Sequence, residues 1–232
     1  ARQAWIQAVA PRQGLGFHRE SLVAAETAHE LGRRMVQVGN WSRLQGAPAS
    51  LALSEARMAV QRAEYAQSLS ERELIRVLRL TGLHDRVALP ESLPALPDTL
   101  IGADAAENHL QRLRGQLQRA EALRAAPHAR MAYEAYRASH ALAAGYRDDV
   151  LKTREQMAEE AVLRYNGMLK SVWDVLSETR LRFAAAAQTL SAQRDFWLAE
   201  ADLHWVLQGG EPASFVSLGG GGGAAASTAP AH

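Results

Sequence analysis

Apolar and small side chains recur every three or four residues along most of this chain, and the recurrence fails only at glycine and proline clusters. From Phe17 the stripe runs through Leu22, Ala25, His29, Gly32 and Val36, a period that predicts one packed helix face. It stops at Gly39-Asn40, which tolerate the left-handed conformation that ends helices, and Ser42 suits the N-cap of the next helix. Residues 1–10 read as helix, with an interruption predicted at Pro11, Gly14 and Gly16. A second helix is predicted from Ser50 to Leu80, with Leu53, Ala56, Val60, Ala63, Leu74 and Val77 on one stripe. Pro48 fits its first turn or the approach to it, and Gly82 closes it.

Pro90, Pro94 and Pro97, spaced among leucines, make residues 83–102 an extended connector pinned along the helices. A third helix is predicted over Ala103 to Ala125 and ends near Pro127; a fourth runs from His128 to Arg164. The fourth carries the stripe Ala129, Ala132, Tyr136, Ser139, Ala143, Tyr146, Val150, Thr153 and Met157. Gly167 turns the chain into a fifth helix with the heptad Val172, Leu176, Thr179, Phe183, Ala186, Leu190, Gln193 and Trp197, sustained enough for coiled-coil packing. Helices of this length, about 35 residues, are rods of roughly 50 Å. Gly209-Gly210 ends the last one, and residues 219–232 read as a flexible tail.

The expected fold is therefore all-α: long antiparallel coiled-coil hairpins, duplicated, in an elongated bundle. Its parts are a first hairpin and connector over 1–102, a second hairpin over 103–207 and a tail over 208–232. The segment Glu30 to Leu44 is echoed by the segment Glu160 to Leu176, each ending one helix, turning at glycine and opening another.

Composition narrows the function classes. Aromatics are 6% of the 232 residues, and 26 basic against 25 acidic side chains leave a net charge of +1. That balance gives no basic stripe for nucleic acid. Cysteine is absent, which excludes disulfides, thiolate metal sites and cysteine nucleophiles. No apolar run approaches the roughly 20 residues of a membrane-spanning helix.

Met35-Val36-Gln37-Val38-Gly39-Asn40-Trp41-Ser42-Arg43-Leu44 and Tyr165-Asn166-Gly167-Met168-Leu169-Lys170-Ser171-Val172-Trp173-Asp174-Val175-Leu176 resemble the paired turns of the TolC-like outer-membrane efflux factors. Arg194 to Leu203 is similar to that family's last helix, and the resemblance covers about 17–82 and 128–207. Two departures stand out. The second turn reads one residue shorter than the usual spacing, and the strand pairs that build an outer-membrane barrel, which the resemblance would put before Ala1 and near Ala126-Pro127, are not found within these 232 residues. The resemblance implies the periplasmic helical portion of a trimeric passive export conduit for small toxicants or metal ions, located at the periplasm and outer membrane. Its implied partners are a periplasmic adaptor and an inner-membrane pump. The isolated segment is expected to be monomeric, because the barrel supplies much of the trimer contact. The alternative is a coiled-coil structural or adaptor module with no conduit role.

The implied docking tips are Val38, Gly39, Asn40, Trp41, Ser42, Arg43 and Leu44 in the first turn. In the second they are Asn166, Gly167, Met168, Leu169, Lys170 and Ser171. These turns bear more apolar side chains than a solvated loop needs, although Trp41 and Trp173 can also pack back on their own hairpins. The eight histidines lack the three- or four-residue spacing of helical metal ligands, so no metal and no cofactor is expected. Asp148-Asp149 and Glu159-Glu160 read as solvated faces before channel-lining groups, as do Arg33-Arg34, Arg112, Arg114 and Arg119. No nucleophile elbow or phosphate-binding glycine loop supports catalysis.

Overall fold

The computed structural model describes residues 1–80, 87–102, 105–106, 108, 111–112 and 119–210, with backbone alone for 119–127. Gly82, much of the expected helix from Ala103 to Ala125, and the tail beyond Gly210 lie outside the described residues. Regular structure among the described residues is entirely helical. The elements are α1 (Arg2–Gln37), α2 (Arg43–Val77), α3 (Arg119–Gly145), a π-helical turn (Tyr146–Leu151), α4 (Lys152–Asn166) and α5 (Val172–Leu207). No helix among the described residues is long and apolar enough to cross a membrane.

Several predicted breaks are absent. Helix α1 runs unbroken through Pro11, because Ala8, Val9, Ala10 and Leu15 around it are buried and their packing outweighs the lost backbone bond. Helix α2 starts seven residues before the expected Ser50, at Arg43, and carries Pro48 inside it. The cause is a capping box. Ser42 accepts from the Gln45 N–H, and the Gln45 side chain accepts from the Ser42 N–H at 2.8 Å. The same helix stops at Val77, with Arg79 at φ 54° rather than a glycine closing it. Helix α3 passes through Pro127 without a break.

The fourth helix departs most. Its predicted stripe holds through Ala129, Ala132, Tyr136, Ser139 and Ala143, all buried. Beyond the π turn the seam slips by one residue: Ala158 and Ala161 are buried, while Val150, Thr153 and Met157 are exposed. A π turn holds one extra residue, so a stripe counted at constant period lands on the wrong face after it. The Thr189 hydroxyl of α5 lies 3.3 Å from the Tyr146 carbonyl where that turn begins.

The helices pack side by side in the order α2, α1, α5, then α3 with the π turn and α4. Among the described residues, α2 packs only on α1, and α1 does not touch α3 or α4. Among the described residues this is a layer one helix thick with two free edges. Helix α5 lies inside it and takes neighbours from both sides, so its C-terminal part buries Phe196, Ala199, Leu203 and Val206 in addition to the expected Leu190. Gln193 and Trp197, expected in a seam, donate side-chain N–H bonds to the Pro94 carbonyl at 2.5 and 3.1 Å, and the Trp197 ring packs against the core as well.

That carbonyl belongs to the connector, which crosses three helices. Leu93 N–H donates to Gln13 of α1, the His140 ring to the Pro97 carbonyl, and the Tyr133 hydroxyl to the Ile101 carbonyl. Leu89, Leu93 and Leu96 are buried beneath it. The expected pinning leucines are therefore joined by a row of hydrogen bonds that satisfy the connector's backbone.

Candidate functional site

Both helix–helix turns lie at one end of the molecule. Trp41 and Trp173 face each other with ring centroids 4.7 Å apart and planes tilted by 30°. Trp41 also lies over Gly32 of its own hairpin, and its contact with Trp173 joins the two. Gly32 lies beneath both, where a Cβ would stand in ordinary van der Waals contact with Trp173 at 3.4 Å and Trp41 at 3.8 Å. Gly46 permits close approach of α2 to α1, because a Cβ would stand 2.9 Å from a Val36 methyl.

The two turns are the same length. Val38 is the C-cap and Ser42 the next N-cap in the first; Gly167 and Ser171 hold those places in the second. The glycines of the two turns are not equivalent, however. Gly39 takes φ +78°, whereas Gly167 stays right-handed at φ −80° and Met168 takes φ 59°. Each helix end closes by the same pair of bonds: Gly39 N–H to Val36 and Asn40 N–H to Met35, Met168 N–H to Tyr165 and Leu169 N–H to Arg164. In this motif the left-handed position normally belongs to glycine. A methionine there is strained.

Each turn then opens a helix through a capping box, Ser42 with Gln45 and Ser171 with Asp174. Hydrogen bonds from the Ser171 backbone N–H and its hydroxyl hold the Asp174 carboxyl below the usual carboxylate range. Arg33 and Arg34 both donate to Glu30 near the first turn and hold it at about 2.

The expected tip residues divide into two groups. Trp41 and Lys170 are partly covered, while Gly39, Asn40, Ser42, Arg43, Asn166, Gly167 and Ser171 are exposed polar or backbone positions. The apolar surface belongs to Val38, Leu44, Leu169 and Met168, the last 95% exposed. Sequence reasoning missed the Trp41–Trp173 contact and the roles of Gly46, Gln45 and Asp174. Serine followed three residues later by Gln or Asp was the legible signal for the caps.

The other candidate groups are engaged or scattered. Asp148 pairs with Arg147 at 2.8 Å and Glu160 with Arg164 at 2.7 Å, while Asp149 and Glu159 are exposed. His29, His140 and His204 sit beside Ser50, the Pro97 carbonyl and Glu200 respectively. His84, His109 and His232 lie outside the described residues. Among the described residues no group of three His, Asp or Glu side chains is arranged to hold a metal ion. No protein-family model matches the chain, and no curated protein is detectably similar to it.

Proposed function

We propose that this chain is the periplasmic helical portion of a TolC-like outer-membrane efflux channel, built from a duplicated antiparallel coiled-coil hairpin. Three copies would close into a cylinder, and the turns would meet a periplasmic adaptor that links the conduit to an inner-membrane pump. The energy for export would come from that pump; this chain would form a passive wall.

The observation that carries the reading is the pair of free edges. On the α2 edge, Leu44, Leu51, Met58 and Tyr65 are exposed at a strict heptad spacing, on the side away from α1. On the rod of α3, the π turn and α4, Leu142, Val150 and Met157 are exposed beside its buried stripe, stepping by eight across the π turn and then by seven. Their heights match. Leu51, Met58 and Tyr65 lie nine, sixteen and twenty-three residues after Ser42; Met157, Val150 and Leu142 lie ten, seventeen and twenty-five before Gly167. The extra residue of the π turn absorbs the last difference. Two different apolar rows at matching heights favour head-to-tail contact, which forms a ring when its rotation closes. The exposed, strained Met168 and its apolar neighbours supply an end surface for the adaptor.

The natural absence of cysteine makes the test clean. With Met58→Cys and Val150→Cys in one chain, oxidation in concentrated solution should give a ladder ending at three copies. A product confined to single chains, or a ladder without an end, would remove the ring. In parallel, a purified adaptor hairpin should lose binding when Met168 and Leu169 become Asp. Unchanged binding would leave the coiled-coil module as the better description.

A further inference from the structure

We infer that the groove between α1 and α5, midway along the layer, binds small organic anions with an apolar body. The groove encloses about 380 Å³ and is floored by Phe17, Leu181 and Phe183. That volume suits a small ligand. Around this floor stand groups that can donate: His18 and Ser21 from α1, Ser177 and Arg180 from α5, the arginine being a donor alone. No carboxylate lines it. Arg180 has no ion-pair partner among the described residues, so its charge is available to an incoming group. Arg62 of α2 adds positive potential at His18.

A second groove provides an internal comparison. It encloses about 450 Å³ and shares Phe17 and Phe183. Its α5 residues, Arg182, Ala186 and Gln193 among them, lie about half a helical turn from Ser177, Arg180 and Ala184. The two grooves thus open on opposite faces of the layer. Arg147 and Arg182 of the second are accompanied by Glu20 and Glu155, which balance them. Of the two, the first alone combines an arginine unaccompanied by a carboxylate with an aromatic floor. A carboxylate or sulfonate would take charge-assisted bonds from Arg180 and His18, with bonds from the serine hydroxyls, while its apolar part covers Phe17 and Phe183. Burial and the Arg62 charge hold His18 below its ordinary value, and a bound anion would reverse that direction. This inference does not rest on the conduit reading, since the groove lies wholly within one chain.

The test uses the intact chain with benzoate, benzamide and benzylamine as probes, followed by calorimetry and by the ring resonances of His18. Benzoate should bind with a Kd on the order of 1 mM, as befits a half-open site and a small ligand. It should raise the His18 pKa. Benzamide and benzylamine should bind at least about tenfold more weakly, and Arg180→Gln should weaken benzoate by about the same factor. Arg182→Gln, on the opposite face, should leave benzoate affinity unchanged. Equal binding of the three probes, an unmoved His18, or equal losses in the two arginine variants would each overturn the assignment.

Discussion

At the scale of single residues, the two turns show how one backbone motif is satisfied by different side chains. Gly39 occupies its left-handed position at no steric cost, and a Cβ there would touch nothing within 4 Å. Gly39→Ala should therefore cost about 1 kcal/mol through backbone strain alone, and Met168→Gly should gain about the same. Denaturant unfolding of both variants checks the pair; a destabilised Met168→Gly would mean that the methionine side chain contributes more than its strain costs. The caps differ in chemistry as well. Asp174 has a depressed pKa in the folded chain, so its stabilisation is full above the ordinary carboxylate range and disappears as pH falls through the depressed value. Gln45 does not titrate. On acidification, hydrogen exchange should accelerate at Ser171 and Asp174 relative to Ser42 and Gln45, after correction for intrinsic rates; parallel behaviour would show that the carboxylate is not what holds the second cap.

At the scale of elements, the sequence period was sufficient to find every long helix among the described residues but not their boundaries. Pro11 read as a break, because local rules count the missing N–H, and Pro48 as the first turn of α2 or its approach, while burial around Ala8 to Leu15 and the Ser42–Gln45 cap decide the outcome. The π turn was illegible. Tyr146, Val150, Thr153 and Met157 continue the three-and-four spacing on paper, and only the packing of Ala158 and Ala161 on α5 reveals the slip. The slip is testable. Deleting Asp149 should convert the π turn to α-helix, keep both halves of the seam in place and change stability by less than about 1 kcal/mol. Deleting Glu64 from α2, which has no such turn to absorb it, should rotate Gln67, Ser70 and Leu74 out of register and cost more than about 2 kcal/mol. Thermal unfolding of both deletions compares them directly; equal losses would deny the π turn its role in register.

At the scale of the whole molecule, the sequence repeat indicated that two turns exist, but it could not place them together. That placement comes from Trp41 and Trp173, each of which read as an ordinary tip or packing residue until its partner was seen. A double-mutant cycle with Trp41→Ala and Trp173→Ala should show a coupling of about 1 kcal/mol. Additive losses would mean that the rings merely fill space. The candidate tip was thus legible as a pair of segments with exposed apolar side chains, Val38, Leu44, Met168 and Leu169 among them, whereas the partial covering of Trp41 was not, because it follows from the contact with Trp173.

The connector has a mechanical consequence. It ties α1, α5 and α3 with hydrogen bonds at Gln13, Gln193, Trp197 and His140, far along the rods from the tryptophan clasp. A pair of beams fastened at both extremities yields most readily in the unsupported span between. Thermal bowing of α1 away from α5 should therefore concentrate around Phe17 and Phe183, leaving the tethered ends in step.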